Sequence, residues 1–160
     1  HGVSVFTETP MGMELLYWGM IRPDSERADG DAGVAELNTR REMLDIATQE
    51  TRFTLIQDIV SHPEEFPSLR EFELMNPSLA RTTIHEHLEK LIAVGVVERV
   101  ENRDTSDDPD VPSKFYRITE QGREVLEGTG LFDAQETVKH YYSGLQKTEE
   151  HTRHENVPRP

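Results

Sequence analysis

Apolar residues recur with helical spacing through the middle of the chain. In residues 39–49, TRREMLDIATQ, and residues 50–60, ETRFTLIQDIV, they return every three or four positions, which is the spacing of one face of an α-helix. The pattern predicts two consecutive helices. The second should end before His62-Pro63, because a proline disfavours helical backbone in the residue that precedes it.

A short third helix is predicted over residues 69–75. Ser68 and Glu71 have the S-x-x-E spacing of a capping box, in which a hydroxyl and a carboxylate bind the otherwise unpaired N–H groups of a helix start. Asn76-Pro77 then ends the helix and turns the chain.

The next apolar stripe predicts a fourth helix over residues 80–94, with one buried face and one free face. Gly95 follows it and fits the left-handed position at which helices commonly end. The stripe occupies positions i, i+4, i+7 and i+8, and its members are Ile84, Leu88, Leu91 and Ile92.

Residues 96–100 and 114–118 are predicted to be β-strands joined by a long polar loop. A two-stranded ribbon that follows a helix-turn-helix is a wing. The predicted fold class is therefore mainly α (α+β): a winged helix-turn-helix with a two-stranded β-wing. Thr119 is predicted to cap a fifth helix directly after the ribbon.

The N-terminal residues 1–38 are predicted to be an extension and linker that precede this domain, which we place at residues 39–128. Residues 23–32, PDSERADGDA, are polar and contain Gly and Pro, so they predict no fixed shape. Residues 11–21 are too apolar to remain solvated and are expected to pack on the body or on a partner subunit.

Residues 129–160 are predicted to form a last helix, over residues 133–147, followed by a disordered tail from residue 149. Two interpretations of the helix remain open: a dimerisation helix, which the two-fold symmetry of operator-binding proteins favours, or packing on its own domain. Its apolar side carries the candidate dimerisation residues Val138, Tyr141, Tyr142 and Leu145.

The charge balance is unusual for a protein with this helical pattern. The 160 residues include 31 Asp and Glu but only 17 Lys and Arg, which gives a formal net charge of -14. Such a chain repels itself unless salt screens it, and at molar ionic strength the screening length is about 3 Å. The composition therefore suggests a cytoplasm of high salt, and the alternative is an ordinary acidic protein.

Two absences in the composition restrict the chemistry. The chain has no cysteine, which excludes disulfides, thiolate metal sites and cysteine nucleophiles. It has no apolar run near the roughly 18 residues that a membrane span needs. We expect a cytoplasmic protein without a membrane partner.

Three separated stretches resemble the winged helix-turn-helix of ArsR-type transcriptional regulators, and most of all the haloarchaeal members. They are MLDIATQETRFTLIQDIV, TTIHEHLEKLIAVGVV and KFYRITEQGREVL, with Gly95 and the Thr119/Gly122 pair in matching places. The resemblance covers residues 39–126. It implies a homodimer on a pseudo-palindromic site in double-stranded DNA, with residues 82–91 in a major groove and the ribbon 96–118 on phosphates or the minor groove. Metalloid sensing is not carried over, because the founding sensors bind their effector through cysteines.

The residues expected to meet DNA are those on the free face and first turns of the fourth helix, together with basic residues of the ribbon. Arg81 can fork to guanine or to a phosphate, and Glu86 can accept from cytosine. The ribbon's basic residues alternate with apolar ones, which predicts one basic face. The candidates are Arg81, Thr82, Thr83, His85, Glu86, Lys90, Arg99, Arg103, Lys114 and Arg117.

Several of these residues have a plainer interpretation. Thr82 and Thr83 suit the capping of a helix, and Glu86 with Lys90 suits an ordinary i, i+4 ion pair. His87 is expected to pack against the first helices. From residue 78 to residue 118 the charges nearly balance, at six basic and eight acidic side chains, so most of the acidity lies outside the presumed contact surface.

Other classes of function compete with the DNA-binding regulator. A winged-helix adaptor that binds proteins is the alternative, because the acidic residues 104–110 suit a basic partner. An enzyme is not expected, since the chain lacks a phosphate loop, H-E-x-x-H and G-x-S-x-G. His151 and His154 have workable spacing for a metal, but they lie in the predicted disordered tail. We therefore predict no metal and no cofactor, and an effector remains unknown.

Overall fold

The computed structural model describes residues 24–102 and 111–160, with residues 24–30 described by their backbone alone. Residues 11–21, Arg103 and the acidic residues 104–110 lie outside the described part of the chain. The chain divides into two units, residues 1–39 and 40–160. The elements in chain order are α1 (Asp24–Ala47), α2 (Glu50–Ser61), α3 (Leu69–Met75), α4 (Arg81–Ala93), β1 (Val97–Glu101), β2 (Lys114–Ile118), α5 (Glu120–Glu127), α6 (Gln135–Ser143) and α7 (Glu149–Glu155).

These elements form a winged helix-turn-helix, which confirms the predicted fold class. Helices α2, α3 and α4 surround an apolar core to which the end of α1, the ribbon and α5 also contribute. The stripe of α4 is buried as predicted, with Ile84, Leu88 and Leu91 fully inaccessible to solvent. Burying an aliphatic side chain stabilises a fold by about 1.5–3 kcal/mol before entropy is counted, so this stripe fixes which face of α4 stays free.

The predicted capping box at the start of α3 is present. The Ser68 Oγ accepts from the backbone N–H of Glu71, and Glu71 Oε1 accepts from the backbone N–H of Ser68 at 3.1 Å. Helix α2 ends at Ser61, before His62-Pro63, and α3 has the predicted bounds. Local sequence therefore determines where both helices begin or end.

Two glycines make possible the close approach of α5 to the first strand. Gly95 has a φ of +82°, a backbone conformation that residues with a side chain rarely adopt. A Cβ at Gly122 would lie 2.4 Å from the carbonyl oxygen of Val96, so no larger residue fits there. Thr119 connects the two segments, since its hydroxyl donates to Gly95 O at 2.5 Å and accepts from Gly122 N–H at 2.9 Å.

The prediction of a shapeless linker before the domain was wrong, because helix α1 occupies this part of the chain. Residues 23–32 were expected to have no fixed shape, with a first helix near Thr39, but the helix begins at Asp24. Most residues of this stretch are Ala, Glu, Asp or Arg, and acidic residues are favourable near a helix start. The helix contains two glycines, Gly30 and Gly33, which cost only about 1 kcal/mol each and did not outweigh the rest.

The prediction of a disordered tail from residue 149 was also wrong. Residues 149–155 form α7, and His154 within it is 6% exposed. Arg70 of α3 donates to Glu150 Oε1 through two nitrogens, at 2.9 and 2.5 Å. Polar contacts with residues far away in the sequence therefore order a segment that has no apolar stripe of its own. No described helix is long and apolar enough to cross a membrane.

Candidate nucleic-acid interface

Helices α3 and α4 form the helix-turn-helix, and the turn between them sets how α4 is presented. Asn76 ends α3 and also binds α2, because its Nδ2 donates to Asp58 Oδ2 at 2.7 Å and to Phe72 O at 2.9 Å. The Leu79 N–H then donates to Asn76 O at 3.0 Å. The start of α4 is thus held against α2 and α3, while its outer face is left to solvent.

Most candidates on α4 lie on that outer face. The first turn presents Arg81 and Thr82 to solvent, and Thr83 is half-buried. The N-cap of α4 is Ala80, which makes no side-chain capping bond. The two threonines therefore do not serve as the cap. The capping role that was the alternative to DNA contact for Thr82 and Thr83 is excluded. The other exposed candidates on the helix are His85, Glu86 and Lys90.

Carboxylates already neutralise several basic candidates. Arg81 Nη1 lies 3.5 Å from Glu73 Oε2, on α3. Arg99 on β1 binds Glu89 of α4, and this pair connects the ribbon to the helix. The carboxylates that pair with the presumed contact residues thus lie on the same surface. Less positive charge is available to a polyanion than the number of basic residues in the sequence indicates.

The wing does not have the single basic face predicted for it. The strands are antiparallel with Arg99 opposite Tyr116 and Arg117 opposite Glu98. Directly opposed residues share a face and successive residues alternate between faces. Arg99 and Lys114 are therefore on one face and Arg117 is on the other, where it forms an ion pair with Glu98. The reason is the odd spacing of Lys114 and Arg117 along one strand.

His87 makes the packing contact predicted for it. Its Nδ1 lies 3.2 Å from Arg52 Nη1, on α2. Burial and the nearby Arg52 charge lower the pKa of His87, which favours the neutral ring. This side chain belongs to the joint between α2 and α4 rather than to the outer face.

Helix α6 packs on α2, which is the second interpretation of the last helix. The Tyr142 hydroxyl donates to Asp58 Oδ1 at 3.0 Å, and Gln135 Nε2 donates to Val60 O at 3.4 Å. Burial raises the pKa of Asp58 to about 6, although the hydrogen bonds from Asn76 and Tyr142 oppose the shift. Among the candidate dimerisation residues, Tyr142 and Val138 are half-buried, while Tyr141 and Leu145 remain exposed.

A buried ionic cluster joins the C-terminal tail to the base of α3. Glu71 is inaccessible to solvent, and its Oε2 lies 2.6 Å from His62 Nε2. Because His62 Nδ1 accepts from the Glu64 N–H, Nε2 is the nitrogen that donates to Glu71. Arg159 Nη2 completes the cluster at 2.5 Å from Glu71 Oε1. Burial opposes ionisation of Glu71, but its bonds with His62 and Ser68 and the charge of Arg159 lower its pKa.

Sequence reasoning assigned Glu71 to the capping box and missed the rest of this cluster. The signal available was weak: an Arg near the chain end and a carboxylate that already had a local role. It also missed a basic cleft beside α7, which is lined by Arg70, Arg153 and His154 together with two predicted contact residues, Arg81 and Lys114. Within the described residues, no group of three or more His, Asp and Glu side chains is placed to hold a metal ion.

Comparison with known proteins identifies one similar solved structure and no matching family. No protein-family model matches the chain, and no curated protein matches it. A solved structure from Halomicrobium mukohataei, described as a protein with a GntR superfamily winged-helix-turn-helix domain, superimposes with a TM-score of 0.68 at 25% identity. The match covers 87% of this chain and 90% of that one. The chain therefore has a winged helix-turn-helix fold similar to that of a haloarchaeal protein, and the ArsR type remains a prediction.

Proposed function

We propose that this protein is a sequence-specific DNA-binding transcriptional regulator of the cytoplasm. The observation that carries the proposal is the free face of α4: a helix-turn-helix holds it by its buried stripe and leaves Arg81, Thr82 and His85 exposed at its start. Helices presented in this way enter the major groove and read base edges with their first turns. The similar haloarchaeal structure, described by its winged-helix-turn-helix domain, supports this assignment.

In this proposal the first turn of α4 reads sequence and the ribbon meets the backbone or minor groove. Arg81 offers a guanidinium to guanine or phosphate, while Thr82 and Thr83 offer hydroxyls and methyl groups. Glu86 accepts from cytosine N4. Lys90, Arg99 and Lys114 then position the protein on the backbone. Arg117, which was in the same predicted set, lies on the opposite face of the wing and pairs with Glu98. Arg103 belongs to the same predicted set but lies outside the described residues.

We propose that binding is adapted to high salt. Counterion release supplies most protein–DNA affinity in dilute salt and fades as salt rises. The pairing of Arg81 with Glu73 and of Arg99 with Glu89 reduces the unpaired positive charge that could drive such release. Hydrogen bonds, shape and apolar contacts then carry affinity. Operator affinity should therefore depend weakly, or even positively, on KCl, and a steep negative log–log slope would contradict this adaptation.

We further propose a homodimer that binds a pseudo-palindrome. Tyr141 on α6, at 69% exposure, and Leu145 just after the helix, at 47%, form an outward apolar edge, although Tyr142 is engaged with Asp58. Two copies related by a two-fold axis would place two α4 helices on half-sites one helical turn apart. Sedimentation of the wild type and of Tyr141→Ser with Leu145→Ser tests this edge. Dissociation of the variant is expected, and an unchanged mass would place any dimer interface elsewhere.

The decisive experiment is the selection of bound genomic fragments in roughly molar KCl, followed by sequencing. The wild type should enrich a palindrome, and Arg81→Ala with Thr82→Ala should abolish the enrichment. Thr39→Ala with Arg41→Ala is a matched control, because it removes the same residue types from the exposed surface of α1. Enrichment that survives the α4 variant would overturn the assignment of the reading surface.

A second candidate function is a winged-helix adaptor that binds proteins and not DNA. The observation in its favour is the same pairing of basic with acidic side chains, which leaves the outer surface close to neutral. Under this hypothesis the wild type enriches no palindrome, and the Arg81→Ala, Thr82→Ala variant behaves like the wild type in every assay. The fragment selection therefore separates the two functions.

A further inference from the structure

A polar cleft of about 540 Å³ lies between α3, the start of α4, the foot of β2 and α7. Small-molecule sites in proteins commonly have volumes of about 300–1,000 Å³, so the cleft can hold a metabolite-sized ligand. Its walls include four basic side chains and one carboxylate. The charged lining residues are Arg70, Arg81, Lys114, Arg153 and Glu150, and we call the space the α7 cleft.

The charge of this cleft contrasts with the acidity of the chain. Glu150, its one carboxylate, is already bound by Arg70. Among the side chains of residues 31–102 and 111–160, neither Lys114 nor Arg153 forms a salt bridge, although, besides the hydrogen bond from Arg70, the Arg153 charge helps to lower the pKa of Glu150. Four cationic side chains thus line one cleft beside a single carboxylate, and a bound anion would offset their excess positive charge.

A second observation points to a ligand. His154 lines the cleft and is 6% exposed, and its Nδ1 is a buried polar atom without a hydrogen-bond partner in the described part of the chain. A buried polar atom left unpaired costs about 1–3 kcal/mol, and one explanation for such an atom in a native protein is a bound water or ion. Burial, with the neighbouring Arg153 charge, lowers the pKa of His154.

We propose that the α7 cleft binds a small anion that carries phosphate or carboxylate groups. Lys114 and Arg153 supply charge-assisted hydrogen bonds to its oxygens. Arg70, Arg81 and His154 line the same cleft, and the His154 ring supplies a further polar group. A duplex phosphate carries the same chemistry, but it is fixed to a wide polymer, whereas His154 is more than nine-tenths buried. The small anion is therefore the occupant that fits.

The site also suggests how a ligand would regulate the protein, a step that rests on the proposed function. Arg81 and Lys114 line the cleft and also belong to the presumed DNA surface. A guanidinium that forks to the bound anion cannot at the same time fork to a base or a phosphate of DNA. Occupancy of the cleft should therefore weaken operator binding.

The test begins without DNA. Side-chain ¹H–¹³C NMR spectra of the full chain are recorded during titration with inorganic pyrophosphate, with citrate and with a short duplex of arbitrary sequence. The His154 signal is assigned by its loss in His154→Asn. Pyrophosphate or citrate should shift this signal in a saturable way. A signal that neither anion shifts, or that only the duplex shifts, would overturn the proposal.

A pair of charge-matched variants checks that the cleft is responsible. Arg153→Gln should weaken anion binding about tenfold, which is the loss of one charge-assisted contact. Arg41→Gln removes the same charge from the exposed surface of α1 and should leave the affinity unchanged. Equal effects of the two variants would mean that only net charge matters, and would overturn the site.

Competition with DNA is measured separately. Pyrophosphate should displace an operator fragment from the wild type but less effectively from Arg153→Gln. If the protein binds no DNA at all, the proposed function fails while the NMR result still decides the anion site. If DNA binds and the anion occupies the cleft without displacing it, the regulatory step is overturned.

Discussion

The same pair of groups, a carboxylate and a guanidinium, occurs in two environments in this protein. At the base of α3, Glu71 and Arg159 are 0% and 7% exposed. On the outer face, Arg81 and Glu73 are 64% and 16% exposed and lie 3.5 Å apart. Water screens the second pair and hardly reaches the first, so the energies of these pairs differ although their chemistry does not.

The two environments also differ in what surrounds the charges. Around Glu71, Ser68 and His62 donate hydrogen bonds to the carboxylate in addition to the contact with Arg159. Arg159 in turn lies over the Phe115 ring at 5.0 Å and donates to the carbonyl of Val157. Arg81, by contrast, has only its Glu73 contact among its described hydrogen bonds. The buried pair holds the chain end in place, whereas the exposed pair can exchange its partner for a ligand.

Removal of the buried cation is expected to have the largest effect. Arg159→Gln should lower the free energy of unfolding by about 2 kcal/mol, less than many buried pairs cost because Glu71 keeps its bonds to Ser68 and His62. Urea denaturation followed by circular dichroism measures the loss. Hydrogen exchange should show that α7 loses protection while α4 keeps it.

The exposed Arg41→Gln is the control for that variant, and it should change the stability by less than about 0.5 kcal/mol. If both arginine variants lose the same stability, the buried pair is energetically no different from a surface charge. If Arg159→Gln leaves the α7 amides protected, contacts other than the cluster hold the C-terminal segment.

The parts of the fold that the sequence predicted are those set by apolar spacing and local capping. The stripe of α4, the end of α2 before His62 and the box at Ser68 and Glu71 all depend on residues a few positions apart. Such signals are complete within a short window of sequence. The first turns of α4 could be proposed as a reading surface for the same reason, because the buried stripe determines the opposite face.

The rest depends on contacts that no local pattern reveals. Arg159 and Glu71 are 88 positions apart, and Arg70 and Glu150 are 80 apart. With 31 acidic residues in the chain, any arginine has many possible partners. The order of the tail and the α7 cleft therefore could not be predicted. The division of the wing's basic residues is a different case, since the odd spacing of Lys114 and Arg117 already implied opposite faces.

Asp58 extends the comparison, because it is a buried carboxylate that has no cationic partner among the described side chains. Burial raises the pKa of Asp58 to about 6 in the folded protein, from an ordinary value of 3.8 when the chain is unfolded. A raised pKa contributes stability below 3.8 that is lost as the pH rises through 6. Between pH 7.5 and pH 5 the wild type should therefore gain about 1 kcal/mol from this group.

The reference for that measurement is Asp58→Asn, which keeps a polar group at the position but cannot titrate. Denaturation of both proteins at pH 5 and pH 7.5 isolates the Asp58 contribution. The lowered pKa values of His87, His151 and His154 oppose the gain in the same range, and they cancel in the difference. Identical pH dependence of the two proteins would mean that Asp58 stays ionised, as Glu71 does.

Removal of the carboxylate that pairs with Arg99 on the outer face should have the smallest effect on the free energy of unfolding. It should have the clearest effect on DNA binding. Glu89→Gln removes the carboxylate that binds Arg99, and an exposed pair of this kind is worth at most about 1 kcal/mol to the fold. Under the proposed function, Arg99 can then bind a phosphate, because the Glu101 carboxylate, 4.0 Å from its Nε, holds it less closely than Glu89 does. Operator affinity should then rise by about threefold in dilute salt, and the log–log salt slope should become more negative by about one.

The matched control is Glu136→Gln, an exposed glutamate of α6 outside the presumed DNA surface. It changes the net charge equally and should leave the salt slope as it is in the wild type. Operator titrations over a range of KCl concentrations compare the three proteins. A steeper slope in both variants would trace the effect to net charge. A steeper slope in Glu89→Gln alone would mean that the acidic partners on this face reduce how far binding depends on salt, and so help the protein to bind DNA where salt is high.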